Sequence, residues 1–170
     1  IGYAALRNNT TGESNVAIGS LAMDANTTGT NNVAIGLAAL DANTTASNNI
    51  AIGAYALSAN TTGTENVAIG QAAADAITDG TANTALGHSA LGSEVRGNRA
   101  VAIGHSALGA QSFSSSTANY NIGVGFHAGL SVTTGIRNTL VGGLAGDALT
   151  DADDNVAVGQ QALSSDTLGS

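Results

Sequence analysis

A glycine returns every 17 residues along this chain, at Gly2, Gly19, Gly36, Gly53, Gly70, Gly87 and Gly104. After one interval of 21 the series resumes at Gly125, Gly142 and Gly159. Asn stands four residues before eight of these glycines, from Asn15 to Asn155, with Ala100 as the exception. Ala stands three residues after each of them, from Ala5 to Ala162. A fixed period over the whole length marks a repeat architecture, in which each unit buries its apolar side only by stacking on the next. That constrains the architecture far more than the chemistry.

Composition agrees with a thin, stacked molecule. With two Phe, three Tyr and no Trp in 170 residues, the large side chains that fill a thick globular interior are missing. Low charge and apolar residues returning in register argue against disorder. Twelve acidic residues oppose four arginines, and there is no lysine. Nucleic acid is excluded as a partner, because its binding needs cations that displace counterions; an anionic membrane surface is excluded for the same reason. Cysteine is absent, so no disulfide staples the fold and the redox compartment stays open. No apolar run approaches the roughly 20 residues of a membrane span, so no membrane insertion is expected in this segment. The chain opens inside one repeat and ends inside another, with no secretion signal in view, and is expected to be a segment of a longer fibre.

Within one unit, Val33-Ala34-Ile35 has the alternation of a short strand bounded by Asn32 and Gly36. Val33 and Ile35 are expected to face the core, with Ile52 and Leu40 joining them, and Ala34 to face the other way. Gly36 and Gly53 close the strand with a bend, and the following Asn43-Thr44-Thr45 stretch reads as a polar turn. Asn32 and Asn49 are expected to form ladders of side-chain amides between coils. The prediction is an all-β fold, a parallel β-solenoid of about ten 17-residue coils, about 45–50 Å long at the strand spacing of a sheet. Residues 1–170 form one repeat domain, and the coil over 105–124 carries a four-residue insertion. The row Leu6, Met23, Leu40, Leu57, Leu91, Leu108 and Leu163 breaks at Ala74, Gly129 and Gly146, where the core must thin or be filled from another row. The small, flat row containing Ala34, Ala51 and Ala68 is expected to pack chains side by side, three being the simplest closed arrangement. On that reading Ile52→Asp unfolds neighbouring coils, and Ala51→Arg separates chains before unfolding them.

The run Asn-Val-Ala-Ile-Gly at Asn15–Gly19, Asn32–Gly36 and Asn66–Gly70, with close variants at Asn49–Gly53 and Asn155–Gly159, resembles the head repeats of trimeric autotransporter adhesins. Related repeats occur in phage tail fibres and other extracellular fibres. The resemblance spans essentially the whole chain. It implies a left-handed parallel β-roll, a homotrimer around a common axis, an extracellular place on a cell surface or virion, and a role in attachment to a glycan or protein receptor. Handedness and trimer number come from the resemblance and not from the spacing. The spacers here are longer than in many adhesin heads, and neither an anchor barrel nor a coiled-coil stalk lies in the segment.

The candidate sites lie where the repeat is broken. Three of the five aromatic residues, Phe113, Tyr120 and Phe126, fall in or beside the insertion. Loops leaving a rigid scaffold carry binding sites, so these three are the candidate receptor contacts; the alternative is that they plug the core where the register changes. His88 and His105 follow successive repeat glycines and should stack, with His127 one position out of row; a variable exposed position explains them better than a metal site. Asp151, Asp153 and Asn155 have the spacing that opens a calcium loop, but Val156 and Ala162 stand where that loop needs Gly and Glu. Asn26, Asn43 and Asn60 head glycosylation sequons that the turn repeat generates by itself. No nucleophile, base and acid recur together, so neither an enzyme nor a cofactor nor a metal is expected. The reading that follows is a structural and adhesive fibre segment. Its rival is an ice-binding solenoid, suggested by the ladder Thr27, Thr44 and Thr61; against it, Thr27 and Thr28 are adjacent, so a strand would send them to opposite faces. A third reading, a hexapeptide-repeat acyltransferase, fails because 17 is not a multiple of six.

Overall fold

In a computed structural model, which describes residues 1–167, the chain is a parallel β-solenoid without helices among those residues. Eleven short strands follow in order: β1 (Val16–Ile18), β2 (Val33–Ile35), β3 (Ile50–Ile52), β4 (Val67–Ile69), β5 (Thr84–Leu86), β6 (Gly97–Asn98), β7 (Val101–Ile103), β8 (Thr117–Ala118), β9 (Ile122–Val124), β10 (Thr139–Val141) and β11 (Val156–Val158). Nine of them stack in chain order as one parallel sheet, and β6 and β8 form a second, two-stranded one. This makes about eight turns, and β1 to β11 spans about 38 Å. A further coil precedes β1 and is tied to it through Gly19 N, which donates to Ile1 O at 2.8 Å.

Register is held residue for residue. Val33 pairs with Ile50 and Ala34 with Ala51, and across the insertion Val101 still pairs with Ile122. The extra residues are absorbed away from the strands: Gln111 sits one 17-residue step from Glu94 and bonds to it, whereas Gly97 pairs with Thr117. The repeat glycine is needed for the stacking. At Gly36 φ is +139°, and a Cβ would lie 2.5 Å from Gly53 O in the next coil. The coil also bends through non-glycine residues in the left-handed region, among them Ala38 and Leu40, both at φ 52°. Such residues cost about 1 kcal/mol or more each, and are held by bonds to the next coil such as Leu40 N to Ala56 O at 3.0 Å.

The strand faces the opposite way from the sequence expectation. Ala34, Ala51 and Ala68 are wholly buried within a single chain, whereas Val33, Ile35 and Ile52 are part-exposed on the outer face. Ala34, Ala51 and Ala68 therefore cannot line a contact between chains. The reason is thickness. Leu40, Leu57, Leu91 and Leu108, with Met23, fill the interior from the segment after the repeat glycine, and only a methyl group fits opposite them. At Gly123 an added Cβ would already meet Leu108 Cγ at 2.9 Å. Packing at crystal-like density leaves no room for two large rows.

Where the leucine row breaks, other rows fill the space. Ile77 is buried three residues after Ala74, Val132 three after Gly129, and Leu149 three after Gly146. Leu140, in the alanine row, fills the rest: Cβ atoms at Gly129 and Gly146 would each fall 2.7 Å from its methyls.

Two asparagine ladders run beside this core. In one, Asn32 Oδ1 accepts from Asn49 N at 2.9 Å while its Nδ2 donates to Ala46 O at 2.8 Å. Asn49 repeats the pattern with Asn66 N and Gly63 O. The second ladder is built from the sequon residues: Asn43 Nδ2 donates to Asn26 Oδ1 at 2.7 Å, and Asn60 Nδ2 to Asn43 Oδ1 at 3.4 Å. It ends where the next coil offers Ile77, and Asn60 Oδ1 is left buried without a partner.

Candidate functional site

Three surfaces are set out by this scaffold. The first is the outer face of the nine-stranded sheet. Alternation along each strand turns two rows outward, one through Val16, Val33, Ile50 and Val67 and the other through Ile18, Ile35, Ile52 and Ile69. Both continue to β11, where Val156 and Val158 are 71% and 69% exposed. Thr84 and Thr139 are the polar members of these rows. A single chain thus leaves an apolar strip running the length of the sheet.

The second surface surrounds the insertion, and it divides the three aromatic candidates. Phe113 is 6% exposed and belongs to the interior; it is not a surface contact. It follows a polar knot centred on Glu94, a wholly buried residue. Glu94 Oε1 accepts from the backbone amides of Val95, Arg96, Gly97 and Phe113 at 2.8, 3.0, 2.7 and 3.2 Å. Oε2 accepts from Gln111 Nε2 at 2.8 Å, and Gln111 Oε1 accepts from Asn121 Nδ2 at 2.7 Å. The sequence carries a signal for this knot: Glu94 occupies the position of Asn43 and Asn60, where an acid facing inward needs several donors.

Tyr120 and Phe126 do reach solvent, at 52% and 53% exposure, but with different neighbours. Arg99 lies over the Tyr120 ring at 5.6 Å and donates to its hydroxyl at 3.4 Å. Phe126 continues the histidine row: His88 stacks on His105 at 4.9 Å, and His105 on Phe126 at 5.5 Å. His127 lies flat against Phe126 at 3.8 Å.

The third surface is an open groove of about 560 Å³ on the segment after the repeat glycine, floored by Gly92 and Gly109 and walled by Asp75 and Leu130. Burial pushes the Asp75 carboxyl above its usual range, while a bond from its own backbone amide pulls the other way.

The remaining candidates are occupied structurally. Asp153 accepts from Ile136 N at 2.8 Å and Asn155 is part of the first asparagine ladder, so the calcium-like spacing does not converge on one point. Among the described residues no three metal-binding side chains cluster. Asn26, Asn43 and Asn60 are wholly buried, so the folded coil hides the sequon amides. The threonine ladder exists, but its hydroxyls point along the rod: Thr27 and Thr61 donate to Thr44 O and Thr78 O at 3.0 and 3.1 Å. No helix among the described residues is long and apolar enough to cross a membrane. In comparisons with known proteins, no family model matches the chain, and neither a curated protein nor a solved structure shows significant similarity to it.

Proposed function

We propose that this chain is a structural and adhesive segment of an extracellular fibre, on a cell surface or a virion, in which three copies pack around a common axis as left-handed rolls. The observation that carries the reading is the apolar strip of Val and Ile along the outer face of the sheet. Exposed apolar patches of that extent are uncommon on monomers and mark interaction surfaces. A strip that repeats in step with the coils is self-complementary along its whole length, which suits a closed symmetric assembly of identical chains. The interface is thus assigned to Val33, Ile35 and Ile52 in place of the alanine row. Attachment rests on the resemblance to adhesin heads and on the aromatic side chains Tyr120 and Phe126 displayed beside the insertion. Three copies of a weak site acting together give avid binding, and the charge of −8 per chain limits non-specific sticking.

Light scattering on the purified segment tests the assembly. Three times the 16.4 kDa chain mass is expected, and a stable monomer at micromolar concentration sinks the reading. Two variants locate the interface. Ile52→Asp should separate chains while each coil stays folded. Ala51→Arg should unfold the coil outright, because it drives an unpaired charge into a filled core. The reverse pattern would restore the alanine face. An ice-binding solenoid is the alternative. It has the threonine ladder in its favour, but those hydroxyl protons are already donated to carbonyls, and the ladder meets Val95.

A further inference from the structure

We propose that the groove between Asp75 and Leu130 is a binding site for a neutral saccharide, the contact by which the fibre recognises a surface glycan. The inference rests on the attachment reading and gives it a place and a ligand class.

The groove exists because two successive coils lack a side chain. Five residues after the repeat glycine, other coils carry Arg7, Asp24, Asp41, Ser58, Asp75, Leu130, Asp147 or Ser164, but here stand Gly92 and Gly109. Neither glycine adopts a positive φ, and a Cβ would meet Ser89 O at 3.1 Å from Gly92, and Ser106 O at 3.0 Å and Leu130 Cδ1 at 3.2 Å from Gly109. Other coils carry a side chain at this position, so what glycine supplies here is room.

The chemistry of the lining is specific. Ser89, Ser93, Ser106 and Ser131 line the groove, and their hydroxyls make no hydrogen bond to the protein among the described residues. Four free hydroxyls, each donor and acceptor, match a ligand that is itself a polyol. Asp75 supplies a carboxylate acceptor for a pair of adjacent ligand hydroxyls, the stronger kind of hydrogen bond. Leu130 gives an apolar wall for the C–H face of a sugar ring, and the volume suits a small ligand. No Arg or Lys lines the groove and the chain is acidic, so sialylated and sulfated glycans are disfavoured.

The position leaves the groove open in the assembly. Its residues lie two to six positions after a repeat glycine, on the segment that packs Leu108 inward against the strand at Gly123. The outward side of that segment faces away from the Val/Ile strip. His88 and His105 immediately precede Ser89 and Ser106, and His127 continues the Ser89–Ser106 row. The stacked rings thus stand at the corner of the coil between strip and groove.

The test is binding of the assembled chain to an array of neutral hexose oligosaccharides, with sialylated and sulfated glycans as controls, followed by titration of the best ligand against Gly109→Leu and Asp75→Asn. Neutral glycans are expected to bind. Each variant should weaken them by about tenfold or more, the cost of a lost charge-assisted bond or a filled subsite, with circular dichroism and solution mass unchanged. Binding only to anionic glycans, or neutral binding that both variants leave intact, overturns the proposal. A trimer that adheres to cells but binds no neutral glycan sinks the groove and spares the fibre. A monomer whose glycan binding is lost in Gly109→Leu does the opposite.

Discussion

The coil around Asn43 and the coil around Glu94 solve one problem in different ways. Both place a buried side chain seven residues after the repeat glycine, beside a leucine, Leu40 or Leu91. Asn43 joins a chain of like residues, taking part in the coil before and the coil after. Glu94 has no like neighbour and instead gathers four backbone amides and Gln111 within its own reach. Ile77, Val132 and Leu149 show a third solution, with no polar group and the leucine position reduced to Ala74, Gly129 or Gly146. A regular ladder needs every member, so it fails at its last rung, as the orphaned Asn60 Oδ1 shows. The knot needs no repeating rung: its donors are the three amides that follow Glu94 and, one coil on, Gln111 and Phe113 beside the four extra residues.

The knot should therefore be the more fragile at a single point. Glu94→Ala leaves four amides and the Gln111 side chain without an acceptor in a closed interior. A loss of about 3–5 kcal/mol is expected, the range for breaking a buried charged network. Asn43→Ala removes one rung: Asn60 Nδ2 keeps Gly63 O and only Asn26 Oδ1 loses its donor, at about 1–2 kcal/mol. Denaturant melts of the two variants compare them; an Asn43 loss equal to that of Glu94 would show that the ladder is as cooperative as the knot.

The second and third solutions can be exchanged. Asn43→Ile alone overpacks against Leu40 and strips Asn26 Oδ1 of its donor; Leu40→Ala alone leaves a cavity worth about 2–5 kcal/mol. Together they copy Ala74 with Ile77. The pair should be less destabilised than the sum of the singles by about 1–2 kcal/mol, and strict additivity would mean that the two rows do not share one space. A smaller version lies at Gly146, where φ is +59° and a Cβ would sit 2.7 Å from Leu140 Cδ2. Gly146→Ala should cost about 1–3 kcal/mol, with partial recovery in the Leu140→Ala background.

What the sequence made legible follows from periodicity. The 17-residue step, the parallel stacking and the strand at Val33–Ile35 could be read from it because a repeat registers every coil on the next. Which side of the strand was inside could not be read from alternation alone. Val and Ile are the more apolar residues, but interior volume decided the matter, and Ala34 fits opposite Leu40 where Ile does not. A strip left apolar for a neighbouring copy looks, in one chain, the same as a core. The breaks at Ala74, Gly129 and Gly146 were visible as losses; their compensation by Ile77, Val132 and Leu149 lay three residues on, in a row that otherwise reads as a polar turn. The fate of Phe113 depended on Glu94, far from it in sequence.

The smallest effect expected separates the regular coils from the broken ones by charge. A perfect repeat stacks like on like. Asp41 has its carboxyl pushed above the usual range first by burial and then by Asp24 one coil away, with Arg7 opposing. Asp75 stands between Ser58 and Gly92 and is raised by burial alone. A carboxyl whose folded pKa lies above its unfolded value of 3.8 binds its proton more tightly in the native state, so folding is favoured as pH falls toward that value and weakened above it. Asp41→Asn and Asp75→Asn should therefore both raise the melting temperature slightly at pH 7, and both gains should shrink on acidification toward pH 4. Salt tells them apart. Screening relieves the repulsion between Asp24 and Asp41 but leaves burial untouched, so the Asp41→Asn gain should fall in high salt while the Asp75→Asn gain persists. Equal salt dependence would show that stacked carboxylates in this rod do not sense one another, and that burial sets both shifts.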